Sequence, residues 1–468
     1  MRHISPLYPS LLLASILASI SLPLHAQTFD IRAQTGDHIT AAVYLPDVGY
    51  TTSKKVYQGS FGAPSINDKG TVAYACILGG KGITAFRNNT VVVRLKGTKK
   101  PAVVAIQSGY PNIVSDGFGY PPINAQVLSG SVTLYRIGRD VALNNKNRVG
   151  FTTQSLYTIF TVNDKGVRHY TDVDTAAYGV LTPNSKKATS FQGVPVSTFI
   201  NFFDEILTKT VSLNAQSSIA YNANFFITTT KSVEGFAFAS PNDSGVIATV
   251  ESNVIGLPYF ATFQSFTDAI ISNDNVGFVT AQISDGNDDF DGIWAGNNPD
   301  LQPVAVKTND APGGGTFTGF GNKAGPSRNG KYCAFVATTS LGTSGIFRTN
   351  VDGSNKISIA TLGSAAPTNS AGGKLGTFTG FSLAASGDSG QVAVLGTANG
   401  KTGIWLSDAQ GANLKLVAVE GQNLKVGSVQ KTIRKLTFNP VAGINRQGQV
   451  AFSASFTDRT SAVIVAKL

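Results

Sequence analysis

INDKGTVAY at 66–74 and INRQGQVAF at 444–452 are two copies of one phrase, and the phrase decides the fold. Between them stand LNNKNRVGF at 143–151, LNAQSSIAY at 213–221, IISNDNVGF at 270–278, SRNGKYCAF at 327–335 and SGDSGQVAV at 386–394. Each copy is a polar turn, usually with Asn, followed by a short apolar strand. Asn or Asp opens a turn because its side chain bonds the backbone two residues on. Gly closes it because positive φ costs it nothing. In the second copy Asn147 stands in the Gly place, and Asn is the next most tolerant residue of that conformation. The V-A-F part then alternates large and small, as a packed strand does.

Aligning the copies on Val72, Val149, Ile219, Val276, Cys333, Val392 and Val450 gives successive gaps of 77, 70, 57, 57, 59 and 58 residues. A long, nearly constant period marks a repeat architecture whose units cannot bury their faces alone. Three more strand phrases recur between the copies. One follows the organising strand: GITAF at 82–86, YTIF at 157–160, GFAF at 235–238, GIW at 292–294 and 403–405, GIF at 345–347 and AVIV at 462–465. An Ala/Val-rich strand comes next, as in PAVVAIQSGYP at 101–111 and LKLVAVEG at 414–421, with VRHYTDV at 167–173 a poor copy. A Phe-rich strand precedes the next turn: STFINF at 197–202, ATFQSF at 261–266, GTFTGF at 315–320 and 376–381, and KLTFNP at 435–440, with QGSFG at 58–62 and SVTLYRI at 131–137 fitting less well. PNDSGVIAT at 241–249 imitates the organising phrase, but its place after GFAF makes it the turn and start of an Ala/Val strand.

Four strands repeated seven times predict an all-β, seven-bladed β-propeller with four-stranded blades. The last unit has only three of its strands. TAAVYLP at 40–46 resembles the missing Ala/Val strand and is expected to complete that blade and close the ring, which removes an open edge. A solenoid would leave two exposed ends. The 50 Gly and the 14% charged residues suit a turn-rich β protein.

Residues 1–26 read as a secretory signal. Arg2 gives the positive start, 11–22 the apolar stretch, and Leu24-His25-Ala26 a small-residue cleavage site before Gln27. The run is short and broken by Pro23, which suits a membrane anchor less well. The remaining 27–468 form a single propeller domain, placed in the periplasm or outside the cell, with no further membrane span and as a monomer.

With these residues in view, the chain resembles the bacterial exported tandem-repeat family described by N-x-x-G-x-x-A-F, whose members carry a choice of C-terminal anchors. Asn445, Gly448, Ala451 and Phe452 match it fully; Asn67, Gly70, Ala73 and Tyr74 match with an aromatic change. The resemblance implies export and no particular activity. No anchor follows the last strand, SAVIVAKL.

The functional candidates are few. His38 and His169 are the two histidines beyond residue 26, and neither stands in a nucleophile-elbow context. Cys76 and Cys333 fall in the second strands of units one and five, too far apart for a disulfide, and read as buried thiols. DGNDDFDG at 285–292 places Asn287, Asp289 and Asp291 like the start of a calcium loop; the alternative is a solvated hairpin. No other cofactor is implied. Losing Arg2 with the signal lowers the formal charge from +10 to +9. Export sets nucleic acid aside and leaves anionic glycans or a negative envelope as partners of the basic surface. The inter-blade links 112–130, 174–196 and 421–434 are the long ones and, with strand alternation, share a face with the acidic loop and with Lys186, Lys187, Lys431 and Arg434. These four cations are the expected ligand-binding residues, because function usually sits on variable loops held by a rigid scaffold. Trp294 and Trp405 both fall on a repeated strand, so no Trp platform for sugars is evident. The expected role is a non-enzymatic binding scaffold for an extracellular polymer or envelope component. The alternative is a propeller-type polysaccharide lyase or glycoside hydrolase, which would need carboxylates converging on one mouth of the channel.

Overall fold

A computed structural model describes residues 27–45, 49–80, 89–94, 101–106, 125–127, 133–162, 168–181, 211–226, 232–239, 244–250, 252–254, 261–297, 300–321, 323–369 and 373–468. The described residues contain strands and turns and no helix. The strands form seven antiparallel sheets in chain order, a β-propeller arrangement. The regular case is the fourth sheet, whose strands Thr262–Ile271, Gly277–Ser284, Asp289–Asn297 and Asp300–Val306 pair in sequence order.

The organising phrase folds as its residues dictate. The residue closing the turn has positive φ in all seven copies: Gly70 (73°), Asn147 (61°), Ser217 (78°), Asn275 (62°), Gly330 (68°), Gly390 (88°) and Gly448 (71°). The Oδ1 of Asn67 accepts from the backbone N–H of Lys69 and Thr71; Asn144 and Asn445 repeat the pattern.

One alignment shifts. Val276 was expected to match Val72, but its carbonyl accepts from Ser272 N–H as that of Thr71 does from Asn67, and Gly277 pairs Ile271 as Val72 pairs Ile66. The cause is a neighbouring ring. A Cβ on Gly277 would stand 2.6 Å from Cζ of Phe236 in the third sheet, so the buried position takes Gly. The G-I-W phrase has a similar origin: a Cβ on Gly403 would stand 2.6 Å from Cη2 of Trp405. That indole is fully buried and meets Phe378 edge to face at 4.8 Å; Trp294 meets Phe263 likewise at 5.4 Å. Aromatic burial of this kind fills space on the sheet face, where Trp405 and Phe378 pack with Ala360 of the fifth sheet.

The first two sheets depart from expectation. Asn89–Arg94, not GITAF, pairs with Val72–Gly79; residues 82–86 lie outside the described residues. In the second sheet YTIF is the far end of one 14-residue strand, Val149–Val162. It pairs residue for residue with Arg168–Leu181, so VRHYTDV opens the third strand rather than the Ala/Val one. Ser244–Thr249 pairs with Ser232–Ala239, which is the Ala/Val position expected for it. STFINF lies outside the described residues.

The N-terminal pairing is also corrected. Residues 40–45 of that segment fall in the strand His38–Leu45, which pairs with Gly49–Phe61 in the first sheet; residue 46 lies outside the described residues. The partner of the last strand, Ser461–Lys467, is one strand earlier: Thr28–Gln34, running from Thr28↔Lys467 to Gln34↔Ala462. Phe29 and Ile31 pack on the core of the seventh sheet, and Ala33 is buried in that of the first. The apolar side chains that earn an edge position are thus in TFDIRAQ, and its weaker Ala/Val signature hid it.

Candidate functional site

The turns of the organising phrase share one face, and there each sheet is bonded to the next. Asn67 Nδ2 donates to Asn144 O (3.0 Å), Asn144 Nδ2 to Asn214 O (3.0 Å) and Asn214 Nδ2 to Asn275 Oδ1 (2.6 Å). Asn273 N–H donates to Arg328 O, Asn329 Nδ2 to Asp388 O and Ser389 Oγ to Arg446 O. Asn445 Nδ2 donates to Asn67 O (3.1 Å), from the seventh sheet back to the first. The Asn residues that open the turns therefore serve twice, once within the turn and once across the junction.

At the centre of this belt stands Arg328. Its Nη1 donates to Leu143 O in the second sheet (3.0 Å), and its Nη2 to Ile66 O in the first and Ala442 O in the seventh (3.4 Å). Asn439 of the seventh sheet adds a bond from Nδ2 to Val141 O in the second (3.1 Å). Burial lowers the pKa of the guanidinium, and Asp68 and Asp388 oppose the shift. A cavity of about 20 Å³ lies beside it, walled by the second to fifth and the seventh sheets through residues such as Leu143, Leu213, Ile271, Pro326 and Val441. That is room for about one water. The Nε of Arg328 is buried without a partner among the described residues.

Three residues before Leu143, Ile271 and Pro326 come Asp140, Asp268 and Lys323. They come from the second, fourth and fifth units, and Lys323 and Asp268 both act electrostatically on Asp140. Burial pushes the Asp140 carboxyl above the usual range, Lys323 draws it back, Asp268 raises it again and Arg139 lowers it. Asp268 is 4% exposed. The matching positions in the first, sixth and seventh units are Ala63, Leu383 and Val441. Sequence reading passed these charges over because each stands alone in its own unit. Their common offset from the turn was the signal that could have found them.

The opposite face holds the hairpins between second and third strands and the links between sheets. Lys431 lies here, but its Nζ is held by Asp458 (2.9 Å) and Thr460 Oγ1 (2.6 Å), 5.7 Å above the Phe456 ring. Hydrogen bonds from Thr460, side chain and backbone, and from Lys431 pull Asp458 down to about 2. Arg434 is exposed on the strand Val429–Phe438. Lys186 and Lys187 lie outside the described residues. In the acidic loop, Asp285 organises the turn: its Oδ1 accepts from the N–H of Asn287 and Asp288, bonds that lower its pKa. Asn287 sits in that turn, while Asp289 and Asp291 are exposed on one face of the following strand. Among the described residues no three His, Cys, Asp or Glu gather as a metal cluster. Among the described residues the exposed large apolar ones are Tyr57, opposite Gly79, and Leu341, Leu362 and Val429, which lie in hairpins or at strand ends on this face.

The cysteines are free and buried, as read from the sequence. Burial raises both thiols, that of Cys333 to about 12, which keeps them unreactive. His38 is exposed and its ring lies against that of Tyr57, centroids 4.4 Å apart and tilted by 45°.

A family model described as a family of unknown function, DUF7453, matches residues 123–468. None of the curated proteins compared is similar in sequence. Among solved structures, the β-propeller domain of the Trilobed protease from Pyrococcus furiosus is 12% identical with a TM-score of 0.44, over 87% of this chain and 95% of that one. A prolyl endopeptidase is 11% identical with a TM-score of 0.41, over 88% of this chain and 50% of that one. Trypanosoma rangeli sialidase is 9% identical with a TM-score of 0.38, over 95% of this chain and 60% of that one. The chain thus spans half to three fifths of the prolyl endopeptidase and the sialidase, and likeness this distant transfers no activity.

Proposed function

We propose that this chain, which belongs to the DUF7453 family of unknown function, is an exported, seven-bladed, closed propeller that binds an extracellular polymer or envelope component without covalent chemistry. One observation carries the reading: hydrogen bonds join each sheet to the next on the turn face, and Arg328 spans the axis there. That face is stitched shut by its own side chains. The ring has one face left for a ligand, and it bears the inter-sheet links, the exposed apolar residues and Arg434. Thr28–Gln34 supplies the outer strand of the last blade. The basic surface suits an anionic glycan, with Lys186, Lys187 and Arg434 as its cations. Lys431 contributes less, because Asp458 already neutralises it. Calcium on Asn287, Asp289 and Asp291 belongs to the same proposal, as an ornament of the ligand face.

The test is a binding screen of the secreted protein against glycans and envelope fractions, run beside a hydrolase and lyase panel. Charge reversal at Lys186, Lys187, Lys431 and Arg434 should weaken any hit at least tenfold. Turnover of a polymer would replace this reading by the enzymatic one. Binding untouched by the four reversals would remove these cations from the site.

A further inference from the structure

The fourth, fifth and sixth sheets repeat one another closely, and the fourth departs from the others where a cleft opens. In all three the first strand bulges at the same register. Phe263 pairs with Ile283 and Ser265 with Gln282, so Gln264 between them has no partner on the ladder; Thr318 and Thr379 stand at the same place in the fifth and sixth sheets. A bulge bends its strand and re-aims the extra side chain. In the fifth and sixth sheets that side chain is spent on the neighbouring strand: Thr318 Oγ1 lies 3.1 Å from Thr338 Oγ1, and Thr379 Oγ1 donates to Thr397 O (3.3 Å). Gln282 takes the place of Thr338 and Thr397 in the fourth sheet. The pair there is two exposed glutamines. Gln264 Nε2 donates to Thr262 Oγ1 (2.9 Å), and the Gln282 amide has no partner among the described residues.

These longer amides line an open cleft of about 540 Å³ on the link face, with Thr262, Ser284, Asp289 and the turn at Asp285. The strands place them together. Ser284 pairs with Thr262 on one side and Asp289 on the other, and Gln282, two residues from Ser284, shares its face of the sheet. Phe263 and Ile283 take the opposite face and are buried. No apolar side chain lines the cleft among the described residues. The volume lies within the about 300–1,000 Å³ of ligand clefts, but this wall suits a ligand rich in hydrogen-bonding groups rather than an apolar one.

We propose that this cleft binds uncharged sugar residues, with the Gln264 and Gln282 amides and the Asp289 carboxylate as the recognising groups. An amide offers donor and acceptor together, and so does a sugar hydroxyl. A carboxylate accepts from two neighbouring hydroxyls, and such bonds are stronger than those between neutral groups. The Asp289 carboxylate is open to them: Lys307 Nζ donates to the Asp289 backbone carbonyl instead (3.1 Å). Asp285 keeps its Oδ1 on its own turn, and its charge with that of Asp289 disfavours an anion in the cleft. The inference rests on the link face being the ligand face, and it adds a neutral-sugar subsite to the cations proposed for an anionic glycan. Calcium at Asp289 would compete with the sugar for the same carboxylate.

Saturation-transfer NMR and calorimetry on the full protein would test it with neutral trisaccharides of glucose, galactose and mannose, each beside its O-methylated form, in EDTA. At least one trisaccharide should bind, its O-methylated form should bind about tenfold more weakly or worse, and trigalacturonate should not displace it. The decisive variant gives the fourth sheet the pair that the fifth and sixth already use. Gln264→Thr with Gln282→Thr should leave Tm unchanged and weaken binding about tenfold or more. Asp289→Asn, which keeps the shape, should weaken it about threefold or more and serves if the double variant does not fold. No trisaccharide bound, displacement by trigalacturonate, binding that requires calcium, or equal binding by wild type and the variants overturns the inference. A polymer hit lost on reversing Lys186, Lys187, Lys431 and Arg434, with no trisaccharide bound, sinks the subsite and spares the broader reading. Trisaccharide binding that survives those reversals, with no polymer hit, upholds the subsite and removes the polymer.

Discussion

The two faces of the molecule are built from the same strands and differ in what their ends do. On the turn face, Asn67, Asn144, Asn214 and Asn445 each spend the side-chain oxygen on their own turn and the side-chain nitrogen on the next sheet. On the link face, Asp285 and Asp458 each close their own hairpin, Asp285 bonding Asn287 and Asp288 and Asp458 bonding Thr460. One face joins sheets and the other finishes them. A repeated turn can be both a local stop signal and an intersheet clamp, and the face without the clamp is free to vary.

The largest effect should come from removing Thr28–Gln34. Without it, Ser461–Lys467 becomes an open edge with Val463 and Ile464 uncovered. We expect a loss of about 5 kcal/mol or more, comparable to the stability of many domains, together with association through the edge. Denaturant titration and light scattering would show it; a variant as stable and monomeric as the parent would break the closed-ring reading.

Arg328→Met should come next. It removes this donor from the carbonyls of Ile66 and Leu143 and a cation from beside Asp68 and Asp388. Breaking a buried charged network costs about 3–5 kcal/mol, and urea midpoints would measure it. A neutral result would reduce the axis to packing alone. Asn144→Ala should cost about 1–3 kcal/mol, because it strands the N–H groups of Lys146 and Arg148 as well as Asn214 O. The matched change on the link face, Arg434→Ala, removes an exposed side chain and should stay within about 0.5 kcal/mol. Equal losses at the two positions would erase the distinction between the faces.

The smallest expected effect is calcium. Millimolar calcium should raise Tm by about 0.3–0.5 °C, the scale of a few tenths of a kcal/mol in a domain this large. Asp289→Ala with Asp291→Ala should abolish the rise. No response in the parent protein would leave the loop as the hairpin that Asp285 already accounts for.

The C-terminal units were the more legible ones. Where copies recur every 57–59 residues, the G-I-W, G-I-F and A-V-I-V phrases fall on the strands named for them. Where the spacing is 77 and 70, longer strands and hairpins slide the third strand past its phrase, as Val149–Val162 does with YTIF. A two-residue period says which side chains share a face but not where a long strand stops pairing.

By itself the sequence determined the strand and turn grammar: seven positive-φ turns, apolar strands after them, and buried thiols at Cys76 and Cys333. These are local consequences of Asn, Gly and alternating apolar residues. Only the tertiary structure decided that TFDIRAQ, not TAAVYLP, meets the last strand, and that Gly277 rather than Val276 fills the buried place in the fourth unit. The same holds for Arg328 at the axis and for the meeting of Asp140, Asp268 and Lys323. Those outcomes depend on which sheet stands opposite, and residues tens to hundreds apart in the chain carry no local mark of the neighbour that folding will give them.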